Sequence, residues 1–372
     1  MPLLADVVDL LHSWYPPSSA DSWDAVGLVS GDPAADVARI MFAVDPTAEV
    51  AREAADGGAD LLVVHHPLFL GAVHSVAATT PKGRTLHTLT TAGCALLTAH
   101  TNADQAVGGV SEALASAIGL QDLTPIRPAS VTALDKVVTF VPHEHAEAMR
   151  AALAAAGAGT IGDYDSCTFS VTGEGRFRPL EGATPAVGEV ASLTVVPETR
   201  VEAVLPRSRR ASVVRALIAA HPYEEPAFDV IELADPGQSA TGTGRIGSVP
   251  QTTLRDFATQ VVAALPATAH GVRVGGDPNR VVRRVAVCGG SGDFLLDELA
   301  SADVDAYVTS DLRHHRAGEF LEHQGPALID VAHWAAEWTW LPVVEARLRS
   351  ALGDTVSTRV STICTDPWQF RA

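Results

Sequence analysis

Residues 59–68 read Ala-Asp-Leu-Leu-Val-Val-His-His-Pro-Leu, an apolar run that ends on two adjacent histidines. An uninterrupted stretch such as Leu-Leu-Val-Val is the pattern of a strand covered on both faces, the kind found in α/β sheets. Such sheets place their ligand sites just beyond the carboxyl ends of their strands, which is where His65 and His66 stand. Successive residues at a strand end point in divergent directions, so each histidine can serve one of two neighbouring metal ions.

Similar runs occur on either side, at 40–45, 95–99, 284–288, 305–309 and 327–332. Helical patterns over 47–56, 82–92, 109–118, 253–264, 292–300 and 334–350 alternate with them, which predicts βα units with a mixed sheet and helices on both faces. Residues 1–16 carry Asp6, Asp9 and His12 within an apolar segment and read as an amphipathic helix rather than a signal peptide.

The middle of the chain has a different rhythm. Strand-like 137–142, an Ala-rich helix at 144–156 and strand-like 167–173 are followed by strand-like 201–205, a helix at 209–220 and strand-like 227–233. This doubled βαβ order predicts an inserted ferredoxin-like α+β domain. The Gly- and Pro-rich stretches 124–132 and 234–250 are the expected seams, giving residues 1–130 and 239–372 as two halves of an outer domain around an insert at 131–238.

Two further clusters follow buried strands of the outer domain. His100-Thr101-Asn102-Ala103-Asp104 offers a carboxylate for a hard cation, with His100 as a neighbouring hydrogen-bond partner or proton carrier. Asp330-Val331-Ala332-His333 leads into Glu337, and the i, i+4 spacing puts His333 and Glu337 on one helical face. Glu337 could then bridge two ions with its two oxygens. Two divalent ions bring about +4 and two carboxylates return about −2, leaving a positive site that hydroxide or a phosphate would complete. The mixed N/O donor set of His65, His66, Asp104, His333 and Glu337 suits Zn, Mn, Fe or Co and does not choose among them.

Three motifs are expected near the same rim. Cys288-Gly289-Gly290-Ser291-Gly292 is either an anion-binding backbone nest or a tight βα turn; Thr309 to His315 offers Arg313 and His315 for phosphate contact or proton transfer, or forms a solvated loop; Trp23 to Leu28, with Asp45, lines an entrance or simply packs.

Composition bounds the function classes. A formal charge of −18 opposes broad binding to nucleic acid or to anionic membrane, and Arg207, Arg209, Arg210 and Arg215 read as a solvated face. Four scattered cysteines suggest neither a zinc knuckle nor a disulfide framework. No stretch approaches the ~20 apolar residues of a membrane span, and the cytoplasm is the expected compartment.

The assembled motifs resemble those of the Nif-three-like dinuclear metal-centre family, the type 2 GTP cyclohydrolase I homologues. The resemblance rests on Trp23 to Leu28, His65-His66-Pro67-Leu68, His100 to Asp104 with Gly108-Gly109-Val110, Ser310 to His315, and Asp330 through Glu337. It implies two divalent ions on His65, His66, Asp104, His333 and Glu337, with Glu337 as bridge. It also implies a homo-oligomer, a toroidal hexamer with sites facing its interior, and an insert like CutA or PII proteins, to which His221-Pro222-Tyr223-Glu224-Glu225-Pro226 corresponds. Two positions depart from the family pattern: Ser310 and Ala332 stand where glycine is common.

The leading expectation is a metal-dependent hydrolase of a nucleotide or other phosphorylated small molecule, with His100 or His315 as acid or base. The alternative is a metal-binding regulatory or assembly protein whose insert senses a small ligand.

Overall fold

The computed structural model describes residues 1–129, 133–234 and 239–372. The expected seams therefore lie partly outside the described residues, at 130–132 and 235–238. The chain divides into two compact units: Met1–Ala129 with Ser239–Ala372, and Ser130–Gln238.

The first unit contains two mixed sheets rather than one. Five strands run in the order Gly27–Ser30, Ala95–Thr98, Leu61–Val64, Arg39–Ala43, Ser357–Val360. All neighbours are parallel except the Gly27–Ser30 edge. Leu61 and Val63 enter one core, with helices Leu4–Trp14 and Trp340–Leu352, while Leu62 and Val64 enter another, beneath helix Ala48–Asp56. This two-sided burial explains why the run 61–64 does not alternate with polar residues. Fully burying each such side chain is worth roughly 1.5–3 kcal/mol.

The second sheet has six strands, ordered Val272–Gly275, Ala327–Val331, Ala306–Ser310, Val281–Ser291, Arg245–Thr253, Gln121–Thr124. Ala306–Ser310 is parallel to both neighbours and the outer pairings are antiparallel. Gly242–Thr243 pairs with Arg127–Pro128 in a separate two-stranded ladder.

Two predicted helices are shorter than expected. The 334–350 pattern is broken at Thr339 into His333–Trp338 and Trp340–Leu352. Pro342 lacks the N–H that would continue the first helix's ladder, and the Thr339 hydroxyl caps the Ala336 carbonyl at 2.7 Å. The 292–300 pattern yields a 3-10 turn, Asp293–Leu295, and a one-turn helix, Leu296–Leu299.

In the second unit four antiparallel strands run in the order Phe228–Glu232, Leu134–Pro142, Thr194–Pro206, Thr168–Phe177. Helices Ala146–Ala155 and Arg210–Ala220 bury Met149, Leu153, Val213 and Leu217 against Val137, Val141, Val201 and Leu205. The arginines expected on a solvated face are partly committed: Arg207 and Arg210 both donate to the fully buried Asp135, at 3.0 and 2.7 Å.

Candidate metal centre

All five expected ligands converge in the first unit. His65 and His66 extend the Leu61–Val64 strand, Asp104 lies in helix Thr101–Gln105, and His333 and Glu337 occupy the helix that follows strand Ala327–Val331. Glu337 sits at the middle. Its Oε1 lies 2.7 Å from His333 Nε2 and 3.4 Å from His65 Nε2, and its Oε2 lies 3.1 Å from His66 Nε2. Asp104 Oδ1 is 3.7 Å from His65 Nε2.

The histidines share one orientation. In each the far ring nitrogen, Nδ1, meets an oxygen: His65 the Ala99 carbonyl at 2.9 Å, His66 Asp45 at 2.7 Å, His100 Asp24 at 2.9 Å and His333 Asp311 at 2.7 Å. A proton held on Nδ1 leaves the Nε2 lone pair free for a metal, and an acceptor behind the ring fixes its direction.

Asp24 also accepts from the Thr101 backbone and hydroxyl, at 3.0 and 2.6 Å, tying the entrance segment to the start of the Asp104 helix. Behind His65 the Trp340 ring stands at 5.7 Å, and Trp340 Nε1–H donates to the Tyr15 hydroxyl at 3.2 Å. The cluster therefore rests on packed aromatic residues of the core.

Among the described residues, three buried atoms in this cluster make no hydrogen bond of good geometry: His65 Nε2, Asp104 Oδ1 and Glu337 Oε2, the last having only the ionic contact with His66. Orphaned buried polar atoms are rare because each costs about 1–3 kcal/mol. Three of them on metal-capable side chains in one cluster fit a cation binding there. Gly290 adds a second sign, since a Cβ at its φ of +66° would lie 2.6 Å from Glu337 Oε1. The backbone leaves space beside the carboxylate that any other residue would fill.

Among the described residues, two groups have donor atoms within 4.8 Å of one another: His65, His66 and His100, and His66, His333 and Glu337. His100 thus joins the metal-capable cluster as a potential donor in its own right, a part not expected from its sequence context.

Without a cation the cluster is internally charged. Burial works against the charged imidazolium of His66, but Glu337 and Asp45 more than offset it and push the group up to about 11. His333 is raised to about 10 by Glu337 and Asp311 against the same burial effect. Burial lifts Asp104 to about 7, the nearby histidines only partly opposing it. Glu337 is held well below the usual range, its burial outweighed by His66, His333 and His65. A cation binding there would have to displace protons from these imidazoles, so its affinity would weaken as pH falls.

The cluster opens into a cavity of about 530 Å³ lined by Trp23, Asp104, Arg127, Gly290, Phe294 and His333 among others. Trp23 therefore lines the cavity and stacks edge-on to His100 at 5.8 Å. Gly289, Gly290 and Ser291 do face it, but as the end of strand Val281–Ser291 rather than a tight turn.

Two expected participants lie elsewhere. His315 is exposed, meets the His314 ring edge-on at 5.2 Å, and does not line the cavity. Arg313 pairs with Asp293. Asp330, beside the His333 motif, turns away to His270, Arg273 and the Leu312 N–H.

The residues that sequence reasoning did not assign are Asp24, Asp45 and Asp311, which orient His100, His66 and His333. Asp45 and Asp311 each follow a buried strand closely, the same signal that marks His65 and Asp104. Asp311 adopts a left-handed φ of +59°, a conformation that aspartate tolerates better than most side chains.

Comparisons with known proteins place the chain in a family. The model of the family Duf34/NIF3 (NGG1p interacting factor 3) matches residues 2–367. A Mycobacterium tuberculosis protein named GTP cyclohydrolase 1 type 2 homolog is 53% identical over 369 residues, 99% of this chain and 97% of its own. A Bacillus subtilis protein of the same name is 35% identical over 98% of this chain and 97% of its own. Among solved structures, a Bacillus cereus protein related to NIF3 superposes with a TM-score of 0.71 at 35% identity, covering 100% of this chain and 99% of that one. With matches along nearly its whole length in sequence and in fold, the chain belongs to the Duf34/NIF3 family.

Proposed function

We propose that the chain holds two divalent ions on His65, His66, Asp104, His333 and Glu337 and hydrolyses a nucleotide or related phosphorylated small molecule. The observation that carries this reading is the convergence of the three orphaned atoms, His65 Nε2, Asp104 Oδ1 and Glu337 Oε2, in one cluster. Glu337 contacts three imidazoles through its two oxygens, which supports its role as bridge. The donor set suits Zn, Mn, Fe or Co.

When bound, the two ions would supply Lewis acidity and lower the pKa of a coordinated water. The chain's own residues would do the rest. Trp23 offers an exposed ring at the cavity for a planar base, and Arg127, which holds Glu298 at 2.7 Å and lies over the Phe294 ring, would have to share its charge with a phosphate. His100, its Nδ1 held by Asp24, is the acid or base of this proposal, since burial lowers its pKa and keeps its ring neutral and able to take a proton. The relatives' name makes cyclohydrolase-like ring opening one version of the reaction and phosphoester hydrolysis the other.

A second reading has an observation in its favour. The 130–238 unit carries its own cavity, about 340 Å³ in volume, as a regulatory protein with a sensing insert would. In this reading the insert is a ferredoxin-like, CutA- or PII-like module and the metal serves assembly. Both readings include a cytoplasmic homo-oligomer, a hexameric toroid, consistent with the exposed Trp368 and Phe370.

The deciding experiment pairs elemental analysis of tag-free protein with turnover across a nucleotide and phosphoester panel. Near two ions per chain with metal-dependent turnover, both lost in Glu337→Ala, supports the hydrolase. Two ions without turnover of any panel member favours the regulatory reading, and no metal even after reconstitution defeats both.

A further inference from the structure

The cavity in the second unit is built differently from the metal centre. Its deepest polar group is Glu198 on strand Thr194–Pro206, a carboxylate with a residue exposure of only 9%. One of its oxygens accepts from the Tyr223 hydroxyl at 2.8 Å, and among the described residues no cation pairs with it. The carboxylate lies directly over Gly175, where a Cβ would fall 2.2 Å from Oε2. A glycine there makes room for an acid in a place that packing alone would fill with apolar atoms.

The remaining walls are apolar and aromatic: Phe140, Phe177 and Tyr223, with Pro179 and Pro185. Phe177 and Tyr223 contact each other at 5.7 Å, and Glu224 accepts from the Thr184 N–H at 2.9 Å, pinning the loop beside them.

Charge selects the ligand. Three carboxylates, Glu198, Glu224 and Glu225, line the space against two arginines, and Arg176 is already paired with Glu174 at 2.6 Å. An anion would meet net repulsion. A metal ion would need more donors than Glu198 provides, because the nearby His221 has both ring nitrogens engaged, Nε2 with the Phe140 carbonyl at 3.0 Å and Nδ1 with the Tyr223 N–H at 3.1 Å. A buried carboxylate beside aromatic faces favours an organic cation, through a charge-assisted hydrogen bond and cation–π attraction. The volume of about 340 Å³ is at the small end for ligand sites.

We propose that this cavity binds a small organic amine, its ammonium group on Glu198 and its apolar body against Phe140, Phe177 and Tyr223.

The test uses the full chain and three probes of one shape, 2-phenylethylamine, 2-phenylethanol and phenylacetate, followed by calorimetry or ligand-observed NMR. The amine is expected to bind about tenfold or more tightly than the alcohol, the scale of one charged hydrogen bond, and the anion not measurably. Glu198→Gln, which preserves shape, erases the amine's advantage. Tyr223→Phe retains it, since the ring stays and the carboxylate loses only a competing donor. The double variant His66→Ala, Glu337→Ala binds the amine as the wild type does. Equal binding of amine and alcohol, absence of amine binding, or loss of binding in the metal-cluster variant would each overturn the proposal. Should Glu198→Gln fail to fold, the order of the three probes on the wild type decides alone.

Discussion

His66 Nε2 stands 3.1 Å from Glu337 Oε2, joining the end of a strand in the first sheet to a helix that follows a strand of the second. Only these parts of the chain supply that contact, so the centre depends on the two sheets closing together. Removing the carboxylate while keeping the shape, as Glu337→Gln, takes away the central negative charge that His65, His66 and His333 all face. Metal content should fall from near two ions per chain to well below one, with the far-UV circular dichroism spectrum unchanged. Retention of full metal would remove Glu337 from the ligand set.

Asp45 and Asp311 would act on a bound metal through histidines. Each fixes a ring by accepting from Nδ1, and loss of such a partner typically lowers metal affinity 10–100-fold. Asp45→Asn and Asp311→Asn should each show a reduction of about that size in a chelator competition titration, with two ions still bound at saturating metal. A loss of stoichiometry instead would mean that the aspartates are ligands themselves.

Gly290 is the backbone counterpart of these side chains. In Gly290→Ala the new methyl would meet Glu337 Oε1 at 2.6 Å, on a backbone with φ of +66°. Left-handed strain on a non-glycine residue costs of order 1–3 kcal/mol, and the clash is with the residue at the heart of the cluster. The variant should lose most of its metal and melt several degrees lower. Gly318→Ala, at an exposed helical position with nothing within 4 Å of the added carbon, is the control: it should leave metal content unchanged and raise the melting temperature slightly.

Much of the cluster's placement could be read from the sequence because its metal-capable side chains sit where apolar runs stop. Strand Leu61–Val64 and the pair His65-His66 are local in the chain, as is the His333–Glu337 spacing on one helix. The insert was visible for the same reason, as two strand-helix-strand passages of clear period. What was not legible depends on contacts between distant segments. Asp24 reaches Thr101 and His100 from the segment that leads into the adjoining edge strand, Gly27–Ser30 paired with Ala95–Thr98, and nothing near Trp23 in sequence reports that pairing. The division into two sheets was hidden because parallel strands of both sheets share one apolar signature. His315 lies apart from the cavity for a related reason: a strand end fixes where a motif begins, but the side chains of the following helix can turn to solvent.

Asp135 gives the second unit a pH dependence of its own. Its fully buried carboxylate accepts from Arg210 and Arg207, and those bonds, Arg210's the foremost, hold it below the usual carboxylate range against the effect of burial. A depressed folded-state pKa means the stabilisation is fully present above the unfolded value of about 3.9 and is lost as pH falls through the lower, folded value. Asp135→Asn should therefore destabilise this unit at pH 7 by about 1–2 kcal/mol, a charged hydrogen bond discounted because both arginines are partly exposed. The gap between wild type and variant should narrow steadily below about pH 4. Denaturant melts at pH 7, 5 and 3 followed by insert-specific hydrogen exchange would measure it, and a gap that stays constant down to pH 3 would mean that Asp135 contributes through packing rather than charge.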